Sequence, residues 1–182
     1  MAKRSNFMRL ERDTYDTPAS AVAPLLPHLV RRTRFVEPAA GSGALVRQLE
    51  AAGHCCVGAY DIAPRDPSVE YGDILQLTNT WPGGPDVAIT NPPWERKLLH
   101  AIIDHMSVIK LSAWLLIDAG WMFTQQARAY LPYCRRIVTI GRVRWIPGTK
   151  MTSKDDACWY LFVPYGSTRP THFYGQQEEE KP

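Results

Sequence analysis

Asn91-Pro92-Pro93-Trp94 is the segment of this chain best equipped for chemistry. Two consecutive prolines fix the backbone and remove two N–H donors, which leaves carbonyl oxygens facing outward. The asparagine adds a side-chain carbonyl, and the tryptophan adds a flat apolar face. Acceptors at an edge and a ring for a face suit a planar group that bears an amine. A turn that only reverses the chain needs neither the amide before the prolines nor the aromatic after them.

Three further signals accompany it. Gly41-Ser42-Gly43 precedes a helical pattern, so it is either a tight turn or a place where backbone approaches a cofactor closely. It lacks the third glycine of the dinucleotide fingerprint, which counts against NAD. Asp61 follows about 20 residues later, where an acid would accept hydrogen bonds from the ribose hydroxyls of a nucleoside cofactor, or else cap a loop turn. Asp73, after Gly72, has the same two readings, ligand acceptor or helix cap.

These residues need a scaffold, and the chain alternates the right pieces. Strands are predicted over 35–36, 55–60, 69–71, 86–90, 113–117, 137–140 and 157–163. Helical patterns lie over 18–29, where Pro24 and Pro27 must bend or shorten the helix, and over 44–52, 97–106 and 125–131. Such alternation predicts a mostly parallel seven-stranded sheet with helices on both faces. The last two strands have no helix between them, which predicts an antiparallel strand at one edge. In a sheet of this kind ligands gather at the carboxyl ends of the strands, where Pro38 to Gly43, Asp61, Asp73 and Asn91 fall.

Composition narrows the class further. The chain has 182 residues, 45% hydrophobic and 21% charged, which suits one domain with a real core and excludes disorder or a coiled coil. The division expected is a basic, flexible stretch over 1–14, one domain over 15–175 and an acidic tail over 176–182. A net charge of +3 permits an anionic partner without demanding one. Cys55, Cys56, Cys134 and Cys158 form no CxxC pair, and the five histidines show no metal spacing, so no metal site is expected. Neither a signal peptide nor a spanning segment is legible, and a reduced, cytoplasmic protein is expected.

Taken in order, the motifs resemble those of S-adenosylmethionine-dependent N6-adenine DNA methyltransferases, in the small form often found in phages and prophages. Tyr15-Asp16-Thr17-Pro18 is similar to the family's N-terminal cofactor motif. Residues 35–43, Phe-Val-Glu-Pro-Ala-Ala-Gly-Ser-Gly, are similar to its first-strand motif, and Asn91-Pro92-Pro93-Trp94 to its catalytic tetrapeptide. Arg144-Trp145 and the segment 156–160 resemble its late loop and last strand. The likeness spans about 15–162. An Asn-Pro-Pro-aromatic alone is shared with RNA and protein-glutamine methyltransferases, whereas the whole order with Thr-Pro first is more specific to DNA enzymes.

The resemblance implies a Rossmann-like class I methyltransferase fold and S-adenosylmethionine as cofactor. Thr17 and Pro18 would hold its methionine end with Glu37, Pro38, Ala39 and the glycine turn, Gly41 and Gly43. Asp61 would take the ribose, Ile62 and Ile74 would flank the adenine ring, and Asp73 would accept from its amino group. Asn91 and the Pro92 carbonyl would accept the two N–H bonds of the target amine, with Pro93 fixing the turn and Trp94 stacking on a base that is flipped out or unpaired. The expected activity is site-specific adenine methylation of DNA. RNA, a cytosine N4 amine or a protein glutamine are alternative substrates, and a non-catalytic nucleic-acid-binding module is the alternative of another class.

Larger relatives of this motif order carry a separate target-recognition domain. Here only the loop 141–156 offers itself, with Arg142, Arg144 and Lys150 for phosphates and Trp145 as a second stacking face. A homodimer or a separate specificity subunit would be another way to supply recognition.

Overall fold

The computed structural model describes residues 15–81, 83–146, 152–166 and 169–176. The basic stretch 1–14, Lys150 and all of the acidic tail but Gln176 lie outside these residues. Eight strands form one sheet: β1 (Arg34–Glu37), β2 (Cys55–Asp61), β3 (Glu70–Tyr71), β4 (Val87–Thr90), β5 (Ala113–Asp118), β6 (Cys134–Arg142), β7 (Asp156–Phe162) and β8 (His172–Tyr174). Their spatial order is β3-β2-β1-β4-β5-β7-β6-β8. The strand order reverses between β1 and β4, which pair in parallel, so the crevice of the sheet opens beside their carboxyl ends.

Both faces of the sheet are buried at its centre, and the strand sequences show why. Along β5, Ala113, Leu115 and Ile117 enter one apolar cluster, while Trp114 and Leu116 enter the other. A strand covered on both sides reads as a continuous apolar run. The first cluster packs under α3 (Arg96–Val108), whose Leu99, Ile102, Ile103 and Met106 recur at helical spacing. The second lies under α1 (Ala19–Val22) and α2 (Ala44–Ala51), through Ala21, Val22, Leu45 and Leu49. Glu95 caps α3 by accepting from the backbone N–H of Lys97 at 3.1 Å and of Leu98 at 2.9 Å. That cap holds the chain immediately after the Asn-Pro-Pro-Trp segment.

The structure departs from the predicted elements in three places. The antiparallel strand is not at an edge: β7 runs between β5 and β6 and is antiparallel to both. With no helix among the described residues between them, β7 returns alongside β6, and its other side completes β5. The edge is β8, an eighth strand that the predicted seven did not include and that pairs in parallel with β6. As their positions predict, Pro24 and Pro27 shorten the first helix to one turn, followed by 3-10 turns over Ala23–His28. The helix expected over 125–131 is instead two 3-10 pieces, Gln125–Ala129 and Leu131–Tyr133, with Pro132 inside the second. Among the described residues no helix is long and apolar enough to cross a membrane, and no cluster of three metal-ligating side chains occurs.

Candidate active site

A cleft opens where β1, β2 and β4 end. The turn after β1 is threaded through left-handed backbone, with φ of 54° at Gly41 and 71° at Gly43, conformations that glycine adopts without strain. Gly43, expected to join Gly41 at the cofactor, is the N-cap of α2 and does not line the cleft. Asp61, at the end of β2, ties the turn down. Its Oδ2 accepts from the Gly41 backbone N–H at 2.8 Å and its Oδ1 from that of Ala63 at 2.8 Å. Asp73 caps its own turn, with Oδ1 accepting from the Leu75 N–H at 2.9 Å. Both acids therefore fulfil their local role and line the cleft as well, with Ile62 half exposed and Ile74 buried beside them.

Glu37 is the anomaly of the site. It is 2% exposed, lines the cleft, and its Oε2 has no hydrogen-bond partner among the described residues. Burial pushes its carboxyl well above the ordinary range; a bond from the Val46 backbone opposes that, and the negative charge of Asp61 adds to it. A buried acceptor without a donor costs free energy until a ligand supplies one. An ammonium or another donor-bearing cation is the partner its chemistry asks for.

The segment before α1 forms the opposite lip. Thr17 is buried, and its carbonyl accepts from Gln48 Nε2 at 2.7 Å. Asp16 Oδ1 receives the Ser42 hydroxyl and Arg65 Nη2, each at 2.7 Å, so the lip is latched to the glycine turn. Pro18 lies outside the cleft, with its carbonyl accepting from Ala21 and Val22 at the start of α1.

The Asn-Pro-Pro-Trp segment divides its members. Asn91 and Pro93 line the cleft, Pro92 is buried, and Trp94 stands just outside. The Trp94 indole N–H donates to the Leu116 carbonyl at 3.0 Å. Trp145 meets that indole edge-on, with ring centroids 5.8 Å apart and planes at 81°, and its other neighbour is Tyr15 at 6.3 Å. The three aromatics thus bridge the N-terminal lip, the tetrapeptide and the loop after β6. A smaller cleft beside Trp94 is lined by Arg96, Leu99, Ile117, Asp118 and Trp121. Arg142 and Arg144 are exposed at the start of the loop.

One cleft therefore gathers Thr17, Glu37, Pro38, Ala39, Gly41, Asp61, Ile62, Asp73, Ile74, Asn91 and Pro93. Sequence reasoning missed Asp16 and Arg65 as lining residues. Asp16 stands inside the Tyr-Asp-Thr-Pro motif, but Arg65 has no local signal, because its partners come from distant turns.

No protein-family model and no curated protein matches the chain. Solved structures do. A Listeria monocytogenes protein described as a class I S-adenosylmethionine-dependent methyltransferase superposes with a TM-score of 0.61 at 12% identity, covering 93% of this chain and 68% of the other. The fold is that of the class I methyltransferases. The 23S rRNA methyltransferase ErmE shares this methyltransferase fold at a TM-score of 0.55 and 17% identity, over 83% of this chain and 70% of its own. The type IIG restriction endonuclease BpuSI shares it at 0.55 and 14% identity, over 85% of this chain and 26% of its own. Within this methyltransferase fold the cleft occupies the topological switch point, between β1 and β4.

Proposed function

We propose that this protein transfers a methyl group from S-adenosylmethionine to the N6 amine of adenine in DNA. The observation that carries the reading is the convergence of Asn91 and Pro93 with Glu37, Asp61 and Asp73 on one cleft. Glu37, with an unpartnered buried oxygen, fits the ammonium of the cofactor's methionine end. Asp61 suits the ribose hydroxyls, and Asp73, whose Oδ2 has no hydrogen bond among the described residues, suits the amino group of the adenine ring.

When bound, the cofactor supplies an electrophilic methyl on a sulfonium leaving group. The chain's own residues supply alignment. An exocyclic amine conjugated to a purine is a poor nucleophile. Asn91 Oδ1 and the Pro92 carbonyl would accept its two protons, favouring a pyramidal nitrogen with its lone pair directed into the cleft. The same acceptors stabilise the positive charge that develops on nitrogen during in-line attack. Trp94 offers the stacking face for a base that has left its helix, and Arg142 and Arg144 would reach the phosphates.

DNA is favoured by the order of the motifs, with Tyr-Asp-Thr-Pro preceding the glycine turn and the tetrapeptide. The likeness to ErmE, an rRNA methyltransferase, supports RNA as the second reading. Labelled methyl transfer to duplex DNA, single-stranded DNA and RNA, followed by nucleoside analysis, tests both. N6-methyladenine in DNA is the expected product. Label in RNA alone, in cytosine or in no nucleic acid would refute the proposal.

A further inference from the structure

The charges around the cleft are lopsided. Asp16, Glu37, Asp61 and Asp73 line it, and Arg65 is the one cationic side chain among its described lining residues. S-adenosylmethionine, on whose assignment this inference rests, carries a sulfonium and an ammonium that such acids attract. It also carries a carboxylate that they repel. A carboxylate held against this wall needs a cation beside it.

Arg65 is placed to be that cation. Its backbone N–H donates to the Gly41 carbonyl at 2.9 Å, which docks the loop after β2 onto the glycine turn. Its Nη2 lies 2.8 Å from the point that a Cβ on Gly41 would occupy, so the guanidinium rests where any other residue would stand. That same nitrogen reaches Asp16, the neighbour of Thr17, at the lip where the methionine end is assigned. The bridge is solvent-washed, with the Arg65 and Asp16 side chains 40% and 50% exposed, so its own contribution is small and a ligand can share it. A guanidinium carries five N–H donors, of which this bridge uses one.

We infer that Arg65 grips the carboxylate of the cofactor and that Asp16 is the positioning residue that holds the guanidinium over the glycine turn. The pair would then discriminate the intact amino-acid end of the cofactor from nucleosides that lack it.

Calorimetry on the wild type, Arg65→Ala and Arg65→Lys tests this with three ligands. S-adenosylhomocysteine has the carboxylate, decarboxylated S-adenosylmethionine is the whole cofactor without that one group, and 5′-methylthioadenosine lacks the whole amino-acid end. Arg65→Ala should weaken S-adenosylhomocysteine by about 10- to 100-fold, the range of one charge-assisted contact. The other two ligands should bind the variant as they bind the wild type, which also shows that its cleft is intact. Arg65→Lys should fall between, because an ammonium keeps the charge without the fork. Equal losses for all three ligands would overturn the inference, since Arg65 would then only brace the loop. Unchanged S-adenosylhomocysteine affinity would overturn it too. A wild-type protein that binds none of the three would instead remove the cofactor assignment beneath it.

Discussion

Trp94 donates its indole N–H to the carbonyl of Leu116 across 3.0 Å, so a ring at the rim of the cleft is pinned to the middle of the sheet. Only tryptophan among the aromatic residues can make that bond while presenting a face of this size. On the proposed function, the pin fixes the ring's plane before the base arrives. A stacking surface that needs no ordering on binding loses less entropy when it is used.

Replacing Trp94 separates the pin from the face. Trp94→Phe keeps an aromatic surface and removes the bond, worth about 0.5–1.5 kcal/mol net. Its melting temperature should drop by a few degrees while turnover stays within about tenfold of the wild type. Trp94→Ala also loses the face, at about 1–3 kcal/mol per stacked base, and should raise the apparent substrate constant. Thermal melts and kinetics on both variants check the ordering, and a Phe variant as impaired as Ala would contradict it.

For Asn91 the expected pattern is the opposite of a structural residue's. Asn91→Ala should cut turnover by about 10²–10³-fold, the cost of losing one transition-state acceptor. Cofactor affinity should hold, because the proposal assigns the cofactor to residues after β1, β2 and β3. Asn91→Asp should recover part of the rate, since a carboxylate still accepts from the amine. Single-turnover rates beside calorimetric affinities decide this.

Asp61 has one observed duty and one proposed, and its removal should show both. Asp61→Ala takes away the acceptor that holds the Gly41 N–H as well as the one offered to a ribose. Cofactor affinity should fall by about 1.5–3 kcal/mol, the range for a charged hydrogen bond. Protease sensitivity in the loop 41–66 should rise at the same time. Asp61→Asn, which keeps one carbonyl, should lose less of each.

Acid should loosen the corner behind Trp94. Trp121 donates its N–H to His100 Nε2 at 3.1 Å, a bond that only neutral imidazole accepts. Burial and then the Arg96 charge lower the His100 pKa, against smaller opposing effects of Asp104 and Glu95. With the folded value below the unfolded 6.5, the stabilisation is complete above that pH and is lost as pH falls through the folded value. Melting temperature followed from pH 8 to pH 5 should decline less steeply in His100→Gln than in the wild type. His28 and His54, also lowered by burial, leave a residual slope in the variant.

The exposed arginines at the start of the late loop should report on phosphate binding. Neutralising Arg142 and Arg144 together should weaken nucleic-acid binding and make its salt slope shallower, by about one for each phosphate that no longer meets a cation. Cofactor affinity should not change. An unaltered slope would mean that nucleic acid is gripped elsewhere.

What could be read from the chain was whatever local chemistry encodes. The alternation of strands and helical patterns announced a sheet covered on both faces, and prolines 24 and 27 announced a bent or shortened first helix. The cleft was legible because residues that line it follow strands in order, from Pro38 through Asp61 and Asp73 to Asn91. Partner choice was not. Nothing in residues 156–162 says that they pair with β5 as well as β6, and three residues at 172–174 are too few to show a period. Arg65 reads as a solvated loop residue until Gly41 and Asp16 are brought beside it. The Trp94 pin was hidden for the same reason, since Leu116 offers it a backbone atom that every residue type possesses.

The interior position of β7 also dictates when the site comes into being. As the chain leaves the ribosome, β1 to β5 can pair, but β5 keeps a bare edge until residues 156–162 emerge. Trp159 on that strand donates its indole N–H at 2.7 Å to the carbonyl of Ala21, a reach of 138 residues. The helix behind Thr17 thus gains this anchor only after most of the protein has been made. Such distant pairing is slow, because loop closure must be completed before the contact rewards it. The turns after β1 to β4 come from one contiguous stretch and can form early, as can the bonds from Ser42, Gln48 and Arg65 to the lip, whereas the Trp159 anchor behind it is made late. A nascent chain halted before β7 would therefore carry the tetrapeptide and the glycine turn yet lack the Trp159 anchor behind the lip, with an apolar strand edge open to other chains.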